Sequence, residues 1–308
     1  MESSLPAPGE KLGKSLTAWP ARRGGGRLPA NLAPSLAPSE REPSPSDTFA
    51  PVRPPVLKKA LGQHHLVDGS LCHPLIRFLA PQGQRVLEIG PGGGVLTAEL
   101  ITSATRVIGW ELDLDWAAEL RRRLSGRDLR LVVGDALEIE WARLPTPTLV
   151  TGNLPYNVAT AILERLLPHH ERVPYAAFLV QKEVADRLVA GPGDEAYGSL
   201  SVIVAAYSKA RILGRVKPGS FRPPPKVESA FVGFELHLPP LAAEEMPAFI
   251  KMVRLSFGQR RKTLRNSLAA GWGREKAEVV LSAAGVPEKA RAEELGLEDF
   301  LKIYRNRK

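Results

Sequence analysis

Arg85-Val86-Leu87-Glu88-Ile89-Gly90-Pro91-Gly92-Gly93-Gly94 is the stretch on which the architecture turns. Val86, Leu87 and Ile89 make a short apolar strand, a glycine-rich turn follows at once, and Val95 to Ile101 starts a helix. Outward from this unit the pattern repeats. Arg106 to Trp110 reads as a second strand ending in Glu111, and Asp113 to Leu124 as a helix. Leu129 to Val133 is a third strand, ending in Gly134-Asp135; Thr148 to Thr151 is a fourth and Ala176 to Gln181 a fifth. A helical pattern over Ala159 to Leu167 separates the last two. Such alternation predicts an α/β fold: a mostly parallel sheet with helices on both faces. Ser199 to Tyr207 is a further helix, and Lys209 to Val216 with Val227 to Leu236 form a late strand pair flanking a proline-rich link. Upstream, a polar lead-in, Lys58 to Leu66, precedes a first helix over Gly69 to Leu79.

The ends of the chain differ from this middle. Eleven of the 28 prolines fall in residues 1–55, with no helical or strand period, so that segment is expected to be disordered. It has no secretory h-region. A weak transit-peptide character and a start codon assigned too early both remain open. Beyond Pro239-Pro240 the patterns are all helical: Met246 to Phe257, Lys262 to Leu268, Glu275 to Ala283 and Leu297 to Tyr304. The expected organisation is a disordered extension (1–55), a catalytic domain (56–238) and a small all-helical domain (239–308).

Bulk composition narrows the partners. A net charge of +9 favours a polyanion, nucleic acid before membrane. No apolar run is long enough to span a bilayer. The single cysteine, Cys72, excludes an internal disulfide and fits a reducing, cytoplasmic setting. His64 and His65 are adjacent, but the other histidines offer no ligand spacing, so no metal site is expected.

The glycine turn reads E-x-G-x-G-x-G. A dinucleotide fingerprint would need a glycine where Val95 stands, and no Gly-Lys-Ser/Thr follows for a phosphate loop. The Glu88 carboxylate disfavours a pyrophosphate and favours a ligand bearing an amino group. Glu111 can accept from both ribose hydroxyls of a nucleoside. Asp135 can accept from an adenine amine. Asn153 ends the fourth strand within Gly152-Asn153-Leu154-Pro155-Tyr156-Asn157. There a planar amide, a rigid proline and an aromatic ring stand where a strand yields to a helix, which suits a planar amino-bearing substrate. The plainer alternative is a helix cap at each strand end. If Asn157 caps the following helix, Asn153 is free for chemistry.

With these residues in view, the chain resembles the Rossmann-like class I methyltransferases, and within them the KsgA branch of rRNA adenine N6,N6-dimethyltransferases. The cofactor motifs and Asn153-Leu154-Pro155-Tyr156 carry the likeness. So do Leu61-Gly62-Gln63-His64-His65-Leu66, Phe221-Arg222-Pro223-Pro224-Pro225-Lys226-Val227-Glu228-Ser229 and Phe257-Gly258-Gln259-Arg260-Arg261-Lys262-Thr263-Leu264-Arg265-Asn266. They occur in the family's order from about Lys58 to the C-terminus. His65 departs from the pattern, which usually has Phe there.

The resemblance implies S-adenosylmethionine as methyl donor. His64, Leu66, Gly90, Gly92, Glu111, Asp135 and Asn153 would contact it. It implies a catalytic set of Asn153, Leu154, Pro155 and Tyr156, with Phe221 stacking on the second face of a flipped adenine. Arg222, Lys226, Arg260, Arg261, Lys262 and Arg265 would grip RNA. The implied substrate is a pair of adjacent adenines in the 3′-terminal hairpin loop of small-subunit rRNA, within the 30S particle; a monomer is the default expectation. Two alternatives stay open: an Erm-type enzyme acting on large-subunit rRNA, and a non-catalytic assembly or mitochondrial transcription factor of the same fold.

Overall fold

Strand and helix alternate along the chain as the apolar pattern requires. The computed structural model describes residues 64–259, 262–287 and 289–307. In order these form β1 (His65–Leu66), α1 (His73–Leu79), β2 (Arg85–Ile89), α2 (Val95–Leu100), β3 (Arg106–Glu111), α3 (Leu114–Arg123), β4 (Leu129–Val133) and β5 (Leu149–Asn153). Then come α4 (Ala159–Leu166), β6 (Tyr175–Gln181), α5 (Lys182–Val189), α6 (Ser199–Tyr207), β7 (Ser208–Val216), β8 (Phe221–Arg222) and β9 (Ser229–Leu236). Four helices follow: α7 (Met246–Ser256), α8 (Leu264–Trp272), α9 (Arg274–Ala283) and α10 (Leu297–Arg305).

Among the described residues a seven-stranded sheet runs β4-β3-β2-β5-β6-β9-β7. The first five strands of that order are mutually parallel; β9 is antiparallel to both β6 and β7. The chain builds outward from β2 to β4, then crosses back to lay β5 on the other side of β2. The crevice beyond the carboxyl ends of β2 and β5 is therefore the switch point where open α/β sheets bind ligands.

Both sheet faces are buried, which is why the strands read as continuous apolar runs. Along β6, Ala177 and Leu179 face one core with Val86, Val107 and Phe231, while Ala176, Phe178 and Val180 face the other with Leu87, Ile89 and Val150. Helix α4 buries Ala159, Ile162, Leu163 and Leu166, one stripe of a 3.6-residue period. Helix α3 starts where the Asp113 carboxylate accepts from Asp115 N–H at 3.1 Å and ends in Arg121, Arg122 and Arg123, a charge order that suits the helix dipole. The second core continues without a break into the C-terminal helices through Phe249, Leu264, Phe300 and Tyr304. An Arg254–Glu164 pair at 2.7 Å ties α7 to α4. The texture change after Leu238 marks a change from sheet to helices that share this core.

Three features differ from the sequence expectation. Helix α5 follows β6 directly, with Gln181 at its N-cap and no capping side chain to announce it. The lead-in and the proline-rich link pair as a second, two-stranded sheet, His65 opposite Arg222 and Leu66 opposite Phe221. Helix α4 is preceded by Val158, without a side-chain cap; the amides of Val158 and Ala159 reach the Pro155 carbonyl at 3.1 and 3.0 Å. Asn157 is therefore not the cap. Residues 1–63, Arg260, Arg261, Glu288 and Lys308 lie outside the described residues, and with them the expected extension and most of the polar lead-in.

Candidate active site at the sheet switch point

At the switch point lies a cleft of about 750 Å³, lined among others by His64, Gly90, Gly92, Glu111, Asp135, Asn153, Leu154, Pro155 and Tyr156. A smaller recess adjoins it around Leu66, Glu88 and the glycine turn, sharing His65, Gly90, Gly92 and Asn153. The polar residues at the ends of four sequence-consecutive strands thus converge, as the motif spacing suggested. So do the two lead-in residues His64 and Leu66.

The turn itself is held by backbone donors. Gly90, Gly92 and Gly94 have positive φ, a conformation glycine adopts without strain. At Gly92 there is also no room: a Cβ would lie 2.8 Å from the His65 ring. Gly92 N–H donates to Glu111 Oε2 at 2.8 Å, and Asp113 N–H to Glu111 Oε1 at 2.9 Å. Each Glu111 oxygen keeps a second lone pair for a hydroxyl. Burial raises the Glu111 carboxyl above its ordinary range; the amides of Asp113 and Gly92 oppose that shift.

Glu88 is almost wholly buried, and its Oε2 has no hydrogen-bond partner. Burial pushes its carboxyl up to about 8; the neighbouring Thr97 hydroxyl pulls the other way and the Glu111 carboxylate adds to the rise. Glu88 is therefore not the standing carboxylate expected from sequence: at neutral pH it is protonated unless a cation joins it. A buried carboxyl with one oxygen unpartnered beside a glycine turn fits an ammonium-bearing guest.

Asp135 does serve as a cap, its Oδ1 accepting from Leu137 N–H at 2.8 Å, and it still lines the cleft. Asn153 caps nothing. Its Nδ2 donates to the His64 carbonyl at 2.6 Å. The Tyr156 hydroxyl and Ser229 Oγ share a hydrogen bond of 2.7 Å, and its ring stacks on His64 with centroids 5.5 Å apart. His64 Nδ1 donates to the Pro223 carbonyl at 2.8 Å. The lead-in, the Asn-Leu-Pro-Tyr turn and the proline-rich link are thereby tied together across the cleft.

Phe221 is the expectation that fails. It is fully buried and packs with Leu66, Leu75, Leu179 and Phe231, not in the cleft. Its place on β8 opposite Leu66 turns its side chain inward and that of Arg222 outward, as strand alternation demands. Conversely, Trp110, Leu112, Val158 and Ile162 line the cleft although no motif singled them out. They supply its apolar walls, a role that a strand or helix residue does not advertise in sequence.

The expected RNA-binding cations are unevenly disposed. Arg222, Lys226 and Lys262 are exposed. Arg265 is only partly exposed and pairs with Glu278 at 3.4 Å. Arg260 and Arg261 lie outside the described residues. Among the described residues no His, Cys, Asp and Glu cluster is arranged to hold a metal ion, and no helix is long and apolar enough to cross a membrane.

Residues 56–307 match the family model described as ribosomal RNA adenine dimethylase. A protein of Syntrophotalea carbinolica named ribosomal RNA small subunit methyltransferase A is 41% identical over 251 residues, covering 80% of this chain and 95% of that one. Its namesake from Methylococcus capsulatus is 41% identical over 254 residues, covering 81% and 97%. Among solved structures, a dimethyladenosine transferase from Plasmodium falciparum superposes with a TM-score of 0.67 at 26% identity, over 78% of this chain and 96% of that one. The 23S rRNA methyltransferase ErmE gives 0.63 at 27% identity, over 78% and 98%.

Proposed function

This chain belongs to the ribosomal RNA adenine dimethylase family, and from that premise we propose that it transfers methyl groups from S-adenosylmethionine to N6 of two adjacent adenines in the 3′-terminal hairpin loop of small-subunit rRNA. The observation that carries the reading is the convergence of Glu88, Glu111, Asp135 and Asn153 on one crevice. The relatives at about two-fifths identity act, by name, on the small subunit, whereas ErmE is at 27%.

The donor supplies a methyl group on a sulfonium, an electrophile that needs no metal for activation. The residues of this chain do the rest. Glu88 and the glycine turn hold the amino-acid end, Glu111 the ribose hydroxyls and Asp135 the adenine amine, against the Trp110 and Leu112 walls. Adenine N6 is a poor nucleophile because its lone pair is delocalised. The Asn153 side-chain oxygen and the Leu154 carbonyl accept from its two hydrogens, draw N6 toward tetrahedral geometry and aim its lone pair. Such positioning and polar preorganisation is worth several kcal/mol, on the order of 10²–10³ in rate for one well-placed group. Tyr156 already has an imidazole against its ring, the kind of contact a flipped base makes. Arg222 and Lys226 are exposed on the segment whose Pro223 carbonyl holds His64; with Lys262 and the neighbouring arginines they would grip phosphates.

The test is labelled-methyl transfer to 30S particles, 50S particles and free rRNA, followed by nucleoside analysis. N6,N6-dimethyladenosine on small-subunit RNA is expected. Label on 50S RNA would favour the Erm-type reading, and none on any substrate would refute the enzyme.

A further inference from the structure

His65 has no part in the chemistry above, yet its ring lies against the glycine turn, 2.8 Å from where a Cβ on Gly92 would stand. It lies on β1 with its ring against Trp116 of α3, centroids 4.6 Å apart. Gly93 N–H donates to its Nδ1 at 3.1 Å. A backbone amide can only donate, so Nδ1 is the bare nitrogen and the ring proton is on Nε2. The other turn amides are served too: Gly90 by the Trp110 carbonyl, Gly92 by Glu111 and Gly94 by the Pro91 carbonyl. Arg123 holds the Gly93 carbonyl at 2.9 Å. The Gly93 amide thus depends on a side-chain acceptor that one proton would abolish. The phenylalanine usual here in the resembled family would cover the glycines but could not accept.

We propose that His65 is a positioning residue for cofactor binding: neutral, it fixes the glycine turn through the Gly93 N–H to Nδ1 bond, and protonated, it releases it. The inference rests on the methyl-donor reading of the cleft. The charged or titratable groups acting on the imidazole are Asp113, the N-cap of α3, and His64 on its own segment; Glu111 and Arg123 bind the adjoining glycines, Gly92 and Gly93, and Glu88 lines the same recess. Burial holds its pKa below the ordinary value; Asp113 opposes this and His64 adds to it. The ring is therefore neutral above the ordinary histidine range, and the bond breaks as pH falls below it. An imidazolium would set Nδ1–H against the Gly93 N–H and a positive charge beside a cationic guest.

The experiment measures S-adenosylmethionine affinity of the full chain by calorimetry, from about pH 5 to about pH 8.5, for wild type, His65→Phe and His65→Gln. Wild type is expected to lose affinity as pH falls, through His65 in addition to the proton that an ammonium guest must displace from Glu88. His65→Phe should bind about five- to tenfold more weakly at the alkaline end, the loss of one buried hydrogen bond, and show a smaller acid loss. His65→Gln, whose amide oxygen can accept, should recover most of the alkaline affinity without the histidine step. A His65→Phe protein with wild-type affinity and pH profile overturns the role of His65, while failure of wild type to bind at all overturns the methyl-donor reading instead. Imidazole ¹⁵N spectra of the unsubstituted protein give a check that needs no variant: a bare Nδ1 supports the bond, and a protonated Nδ1 at alkaline pH refutes it.

Discussion

The Asn153 amide donates from Nδ2 to the His64 backbone carbonyl at 2.6 Å. That bond assigns the two ends of the amide: the nitrogen anchors the lead-in, and the oxygen is the end that the proposed reaction uses for the incoming amine. Asn153→Ala is expected to cut methyl transfer by at least about 10²-fold while circular dichroism stays that of wild type. Asn153→Asp keeps an acceptor but sets a carboxylate against the His64 carbonyl, so both turnover and cofactor affinity should fall. Near-normal turnover by the alanine variant would remove Asn153 from the mechanism.

Phe221 and Tyr156 separate fold from chemistry. Phe221→Ala empties a fully buried site and should cost about 3–5 kcal/mol of stability, read as a lower melting temperature. Turnover per folded molecule, measured well below that melt, should change only a few-fold. Tyr156→Phe removes one hydrogen bond to Ser229 and should cost about 1 kcal/mol, whereas Tyr156→Ala should lose turnover through the missing ring. Lost activity with unaltered melting in Phe221→Ala would return that ring to the base pocket.

Much of this was legible in the sequence because each βα unit is local: an apolar run, a turn, then a helical stripe. The strand-end acids could be placed for the same reason. What escaped were relations between distant residues. Leu66 and Phe221 pair across the chain through two-residue strands, too short to show a period. A proline-bounded loop looked like a place for an exposed ring, yet one strand pairing turned Phe221 into the core. Helix α5 was hidden because β6 runs into it with no glycine, proline or capping side chain between. His65 read as a departure from a pattern; its meaning lies in an amide 28 residues away.

Glu88 gives a linkage that calorimetry can read. Its folded-state carboxyl is raised from 4.5 to about 8, so between those values the native state holds a proton that the unfolded chain has released. Stability attributable to this group must then fall as pH rises through that window and level off above it. Glu88→Gln should therefore melt close to wild type near the acid end and increasingly above it toward the alkaline end. An ammonium guest would ionise Glu88, so S-adenosylmethionine binding near neutral pH should release up to about one proton, seen as a dependence of binding heat on buffer ionisation enthalpy. Equal proton release by Glu88→Gln would show that another group is responsible.

The salt dependence of RNA binding should divide the basic residues by how far their charges are already partnered. Arg265 shares Glu278 with Arg274, at 3.4 and 3.0 Å, and Arg254 is committed to Glu164. Arg222 and Lys226 are exposed beside Pro223, whose carbonyl holds His64 at the cleft. Every phosphate that a variant no longer neutralises should flatten the logarithmic salt slope by about 0.7–0.9. Arg222→Gln with Lys226→Gln should therefore remove roughly 1.4–1.8 units of slope and weaken rRNA binding, with cofactor affinity unaltered. Neutralising Arg260 and Arg261 together with Arg265 should also flatten the slope, the part due to Arg265 being the smallest because its charge is already partnered. A slope unchanged in both sets of variants would show that these residues do not meet phosphate, and the assignment of this basic surface to rRNA would fall.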